Sequence, residues 1–202
     1  MDHSIERFSP VLFVSGSGRS GTNITKNIFS RHSQIASLPF EYRFTIDPRG
    51  ILDFYNTYPQ IWSPFWPDYK INDFLSFLHS LAEQSDEKKE TAKTATKLDP
   101  KGLSISPPSY SGWELNQWIP NFTELIDELG KSLIAYKYPA IWPGTNAGIS
   151  HNEMHFAPHL QKKELLPIFQ YFLEQITQRI LSKQNKSVFL EDNTYNILFA
   201  SD

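Results

Sequence analysis

The sequence predicts an α/β protein: a parallel sheet flanked by helices, with a large irregular insertion and an incomplete C-terminal end. Three observations predict it. A short charge-free run at residues 10–14 leads into a glycine-rich turn and then into a helix-patterned segment. Strand, turn and helix in that order begin an α/β unit. Further short apolar runs at residues 35–40 and 187–191 alternate with helical patterns, as strands of a parallel sheet do. The length, 202 residues, is that of one domain, so residues 1–202 are expected to share one core.

Composition narrows the function classes. Lys plus Arg total 19 against 22 Asp plus Glu, a net charge of −3, whereas a general nucleic-acid binder needs a basic excess. Any anion site must therefore be local. The absence of cysteine excludes a disulfide scaffold, a Cys-ligated metal and a Cys nucleophile. An aromatic share of 14% with 14 Pro points to pockets and irregular surface rather than an idealised bundle. The apolar run at residues 11–14 is too short for a signal peptide or a membrane span, so the default expectation is a cytoplasmic protein.

The elements follow in order. Residues 10–14, β-branched and aromatic, read as a buried strand, with residues 11–15 expected at the centre of the sheet. In the helix after the turn, Ile24, Ile28 and Phe29 fall on one face and Lys26 and Arg31 lie outside it. Residues 35–40 form the neighbouring strand, ending at Glu41. Asp47-Pro48 has the form of an N-cap followed by a first-turn proline, ahead of Ile51, Leu52, Phe54 and Tyr55. Residues 72–82 carry Phe74, Leu75, Leu78 and Leu81 at helical spacing, and the charge-dense run 85–97 reads as a flexible linker. Residues 60–160 form the insertion that lines a site, richest in Pro, Trp, Tyr and Gly after residue 100, with a helix at 122–129 and a strand at 133–138. Leu165, Ile168, Phe169, Phe172, Ile176 and Ile180 mark an amphipathic helix over 165–181. A buried strand at 187–191 follows, and Tyr195 opens a last helix.

The chemistry concentrates in Gly16-Ser17-Gly18-Arg19-Ser20-Gly21-Thr22-Asn23. Glycines let backbone N–H groups turn inward around phosphate oxygens, and a helix N-terminus adds a favourable dipole. Thr22 stands where a nucleoside triphosphatase loop carries its lysine, and the positive charge sits earlier, at Arg19.

This loop resembles the 5′-phosphosulfate loop of the sulfotransferases that use 3′-phosphoadenylyl sulfate (PAPS). The residues that carry the likeness are Val14 to Thr22, with the core Arg19-Ser20-Gly21-Thr22. The resemblance implies a P-loop-type fold and PAPS as co-substrate, without a metal. It implies that Gly18, Arg19, Ser20, Gly21, Thr22 and Asn23 bind the nucleotide and that Arg19 stabilises the bridging oxygen. Asn23 departs from the usual Thr or Ser but still donates a hydrogen bond. Glu41 matches the general base of the tyrosylprotein and bacterial carbohydrate branches, and Arg43 matches an arginine of the tyrosylprotein branch. Glu191-Asp192-Asn193-Thr194-Tyr195-Asn196-Ile197-Leu198 resembles the later family segment E-K-T-P-x-N-I-L, with Asp192 at the lysine and Thr194 at the proline. The Arg and Ser that hold the 3′-phosphate follow this segment in the family, so the chain is expected to stop short of them and to show little transfer alone.

Other residues carry weaker expectations. Trp62, Phe65, Trp66 and Tyr69 offer rings for a sugar or phenolic acceptor, or else form core beneath the insertion. His151, His155 and His159 recur every four residues, but Pro158 interrupts the helix that would turn them to one metal, leaving His155 as a loop histidine near substrate. The partner expected is a small hydroxyl acceptor, carbohydrate or phenolic. Two other readings stand beside this one: a kinase-like phosphotransferase requiring Mg²⁺, and a non-catalytic remnant of the sulfotransferase domain.

Overall fold

The charge-free run after Pro10 forms strand β1 (Val11–Ser15), and the turn beyond it delivers the chain into helix α1 (Thr22–Phe29). The computed structural model describes residues 8–17, 19–63, 65–82, 113–139 and 153–194. After α1 come β2 (Ile35–Ser37), α2 (Ile51–Thr57), α3 (Trp66–Ala82), α4 (Leu115–Trp118), α5 (Phe122–Leu133), β3 (Tyr136–Pro139), β4 (Glu153–Phe156), α6 (Lys162–Gln184) and β5 (Val188–Asn193). The linker expected at 85–97 and the helix expected from Tyr195 lie outside the described residues, as does Gly18.

The main sheet is parallel, in the order β1-β5-β2. Val11 to Ser15 lie opposite Phe189 to Asn193, and Ile35 to Ser37 opposite Val188 to Leu190. Residues 11–15 were expected in the centre; the central strand among those described is β5. Burial explains the exchange. Every residue of β5 from Phe189 to Asn193 is buried, whereas Phe13 in the middle of β1 is 63% exposed. A charge-free sequence is compatible with a central strand but does not require one, because neighbours on both sides decide burial.

Helix α1 reverses its expected orientation. Its only buried residue is Lys26, 6% exposed, while Ile24 and Ile28 are 69% and 65% exposed. The ammonium of Lys26 is satisfied inside, 2.8 Å from Asp192 Oδ1 and donating to the Phe40 carbonyl at 3.1 Å. A buried ion pair of this kind, with its hydrogen bonds made, holds a helix face inward that apolar periodicity would turn outward.

The expected cap at Asp47 is also not made. Asp47 is buried and its carboxylate accepts from Arg43 at 3.0–3.2 Å, so helix α2 starts three residues later, after Gly50. A Cβ at Gly50 would lie 2.2 Å from the Phe44 carbonyl oxygen, which accounts for glycine there.

The apolar core runs from Ala36 and Phe189 of the sheet to the place where α2, α3, α5 and α6 meet. Phe54 is its hub: its ring stacks on Tyr58 at 4.8 Å and lies 4.7 Å from Phe74 and 5.8 Å from Phe169. Burying one such side chain contributes about 1.5–3 kcal/mol. Helix α6 joins this core to the sheet. It starts in a capping box between Gln161 and Glu164 and ends at Asn185 in the left-handed region. Strands β3 and β4 pair antiparallel in a sheet of their own, so the strand expected in the insertion does not extend the parallel one. No helix among the described residues is long and apolar enough to cross a membrane.

Candidate functional site

The loop that carried the sequence argument sits at the C-terminal end of β1, the edge at which parallel α/β sheets bind ligands. Its tightness is written into two glycines. A Cβ on Gly16 would stand 2.3 Å from Ser20 Oγ, and Gly21 takes φ +89°, a left-handed conformation. Arg19 also has positive φ, 62°, an uncommon conformation for a side chain this long. The Ser20 amide donates to the Ser17 carbonyl at 3.1 Å and is thus spent on the turn, although it was expected to face a phosphate. Helix α1 begins with no side-chain cap at Gly21. The first-turn N–H groups of an α-helix have no intrahelical acceptor, so those of α1 are available at the loop. Ser15 Oγ donates to the Asn193 carbonyl at 3.0 Å and ties the base of the loop to β5.

Glu41 comes to the same edge of the sheet through backbone pairing. The Tyr42 amide donates to the Asp192 carbonyl at 3.1 Å, and Asn193 Nδ2 donates to the Tyr42 carbonyl at 3.1 Å. These clips fasten the segment leaving β2 to the end of β5. There Thr194 Oγ1 donates to Glu41 Oε1 at 2.7 Å. Arg43 Nη1 lies 3.9 Å from Glu41 Oε2, but its closer partner is Asp47.

Asp192 is the most constrained group here. It is 3% exposed, its Oδ1 is held by Lys26, and its Oδ2 is buried without a hydrogen-bond partner. Burial raises its carboxyl above the usual aspartate range. The nearby charge of Glu41 adds to the rise, and Lys26 opposes it.

The structure therefore gathers the loop, Lys26, Glu41, Asp192 and Thr194 at the C-terminal edge of β1 and β5. Trp62, Trp66 and His155 belong to a different neighbourhood, around the first turns of α3. Trp62 is 56% exposed, and the Trp66 and Tyr69 rings are 5.9 Å apart. His155 lies on strand β4 rather than in a loop, with Nδ1 3.1 Å from Asp68, while His159 Nε2 is 3.0 Å from the Pro59 carbonyl. These two histidines thus have separate partners, and no group of three metal-ligating side chains occurs among the described residues.

Sequence reasoning missed Lys26. Its signal was a polar stripe, Asn23, Lys26, Asn27 and Ser30, on the α1 face away from Ile24 and Ile28. Read with the acidic residues Glu191 and Asp192 at the polar end of β5, that stripe allows a buried pair.

Compared with known proteins, the chain matches no family model, no curated protein and no solved structure.

Proposed function

We propose that this chain is a P-loop-type sulfotransferase that moves a sulfuryl group from PAPS to a hydroxyl acceptor. One observation carries the reading. An uncapped helix N-terminus behind a glycine-shaped loop shares the C-terminal sheet edge with Glu41, a carboxylate fixed by Thr194.

The first-turn amides of α1, with Asn23, would bind the 5′-phosphate, helped by the helix dipole. Arg19, exposed on the loop, would stabilise charge on the oxygen that bridges sulfur and phosphorus. Glu41 would accept the acceptor's proton as the new oxygen–sulfur bond forms and the bond to the phosphate oxygen breaks. A positioned base of this kind contributes about 10²–10⁴-fold. Lys26 supplies an ammonium beside Asp192, the residue standing at the lysine of the resembled segment.

A second reading is favoured by a specific observation. Asp192 stands on the strand next to β1, opposite Val14, where a phosphotransferase would want an acidic residue for Mg²⁺. The ion pair with Lys26 opposes it, because the metal would have to displace an ammonium at 2.8 Å.

Titration calorimetry with adenosine 3′,5′-bisphosphate, and with ATP with and without Mg²⁺, separates the two. The sulfotransferase reading expects metal-independent binding of the bisphosphate, weakened about 10- to 100-fold by Arg19→Ala, the value of a charged hydrogen bond. It also expects little transfer from PAPS to a hydroxyl acceptor by this chain alone. Binding of ATP that requires Mg²⁺, with no binding of the bisphosphate, would replace it with the second reading.

A further inference from the structure

Beside the loop, helix α1 forms one wall of an open cleft of about 390 Å³. Small-molecule sites fall at about 300–1,000 Å³, so the space suits a ligand of one or two rings. Helix α1 supplies Asn23, Asn27 and Ser30, while Pro39 from the exit of β2 and Trp118 from α4 supply an apolar side. Lys26 also borders the cleft.

We propose that this cleft binds a saccharide, and that the saccharide is the hydroxyl acceptor of the transfer proposed above. The inference rests on that reading for the fate of the sugar but not for its binding. The lining has the two-sided character of a sugar ring. A pyranose presents a C–H face and a rim of hydroxyls, each of which donates and accepts. Amide and hydroxyl side chains such as Asn27 and Ser30 do the same. Trp118 gives the C–H face a platform held in place by its neighbours. Phe40 meets its ring edge-on at 6.3 Å, and Phe40 is itself stacked on Trp113 at 4.6 Å. A phenol needs apolar surface on both faces of its ring and brings one hydroxyl, which suits this polar wall poorly.

Position agrees with composition. Asn23 directly follows Thr22 of the loop, and Lys26 donates to the carbonyl of Phe40, the residue before Glu41. The ammonium has three N–H groups, of which Asp192 and Phe40 take two. The third serves a ligand oxygen. The Asn23 end of the cleft thus adjoins the loop, and Pro39 on its apolar side stands two residues before Glu41 in the chain. The acceptor site is thereby assigned to α1 and Trp118 instead of the Trp62–Trp66 cluster.

The test is saturation-transfer NMR on the full chain, with cellobiose, N-acetyllactosamine and p-nitrophenol as probes. The expected result is transfer to the ring protons of at least one disaccharide, with no displacement by p-nitrophenol. Trp118→Ala and Asn27→Leu should each weaken binding about tenfold, and Trp62→Ala should leave it unchanged. Asn27 is exposed, so its substitution reports on the cleft even if Trp118→Ala fails to fold. No transfer to either disaccharide, displacement by p-nitrophenol, or full binding by Asn27→Leu would overturn the proposal. Titration with adenosine 3′,5′-bisphosphate runs in parallel. Sugar binding without bisphosphate binding removes the sulfotransferase reading and leaves the cleft assignment standing; the converse removes the cleft assignment alone.

Discussion

Lys26→Met tests the pair that turns α1 inward. Its side chain and that of Asp192 are 8% and 4% exposed, with 2.8 Å between Nζ and Oδ1. Methionine keeps much of the volume but leaves Asp192 buried beside Glu41, with the second of its oxygens already unpartnered. Removing one member of a buried pair costs about 3–5 kcal/mol, and the lower end applies where Glu41 and Thr194 keep the edge partly open. The pH dependence has a definite sign. Asp192 titrates above its unfolded value, so its contribution is fully present in acid and is lost as pH rises through the folded-state pKa. Taking away Lys26 removes two of the three influences that lower this pKa, its hydrogen bond and its charge, leaves only a backbone hydrogen bond, and extends the loss to higher pH. The cost of Lys26→Met, read from urea unfolding followed by tryptophan fluorescence, should thus be about 3 kcal/mol at neutral pH and shrink in mild acid. The double variant Lys26→Met/Asp192→Leu should recover most of it, since an apolar pair of similar volume is often neutral or better. A cost below about 1 kcal/mol, or one independent of pH, would mean that the pair is solvated and that another force orients α1.

Gly16→Ala should destabilise the loop and weaken bisphosphate binding, because its Cβ would stand 2.3 Å from Ser20 Oγ; Ser20→Ala should relieve much of the loss in calorimetry. Tyr58→Phe should cost about 1 kcal/mol in urea unfolding, since its hydroxyl donates to the Pro158 carbonyl at 2.8 Å. Burial pushes that phenol up to about 12, so the stability it carries is present through neutral pH and falls only in strong alkali, as ultraviolet titration of wild type against Tyr58→Phe would record. Asp68→Ala should cost about 3 kcal/mol and loosen β4. The Asp68 carboxylate accepts from the His155 amide at 2.8 Å and from Asn72 at 3.0 Å, and faster hydrogen exchange at the His155 amide is the readout.

How much was legible in the chain varies by element, and the reasons are physical. The strand, turn and helix of residues 10–29 were readable because glycines at Gly16 and Gly21 answer local demands, one of space and one of dihedral angle. Helix α6 was readable because Leu165, Ile168, Phe169, Phe172, Ile176 and Ile180 all enter the core that their spacing predicts. Helix α1 was misread because Ile24, Ile28 and Phe29 satisfy the same spacing yet face outward. Periodicity names two faces and leaves a long-range partner, Asp192, to choose between them. Asp47 misled for a similar reason, since Arg43 holds its carboxylate before it can cap α2. Glu41 was placed at a strand end by motif, but the groups that fix it are distant in sequence: Thr194 lies 153 residues away. The clefts, likewise, are built from elements whose adjacency no local pattern encodes.

The placement of β5 bears on how the protein assembles. Strands β1 and β2 do not pair with each other, and each finds its ladder only on β5, the final strand among the described residues. Ser15 and Asn193, which join the loop to that strand, are 178 residues apart. A chain emerging from the ribosome can therefore pack α2, α3 and α5 around their aromatic rings well before it can zip the sheet. Contacts of such separation form late, because their loop-closure entropy is offset only when the final ladder appears. The edge that carries the glycine-rich loop should accordingly be the last region to gain hydrogen-exchange protection on refolding, and nascent chains halted before Val188 should hold a helical core with no such edge at all.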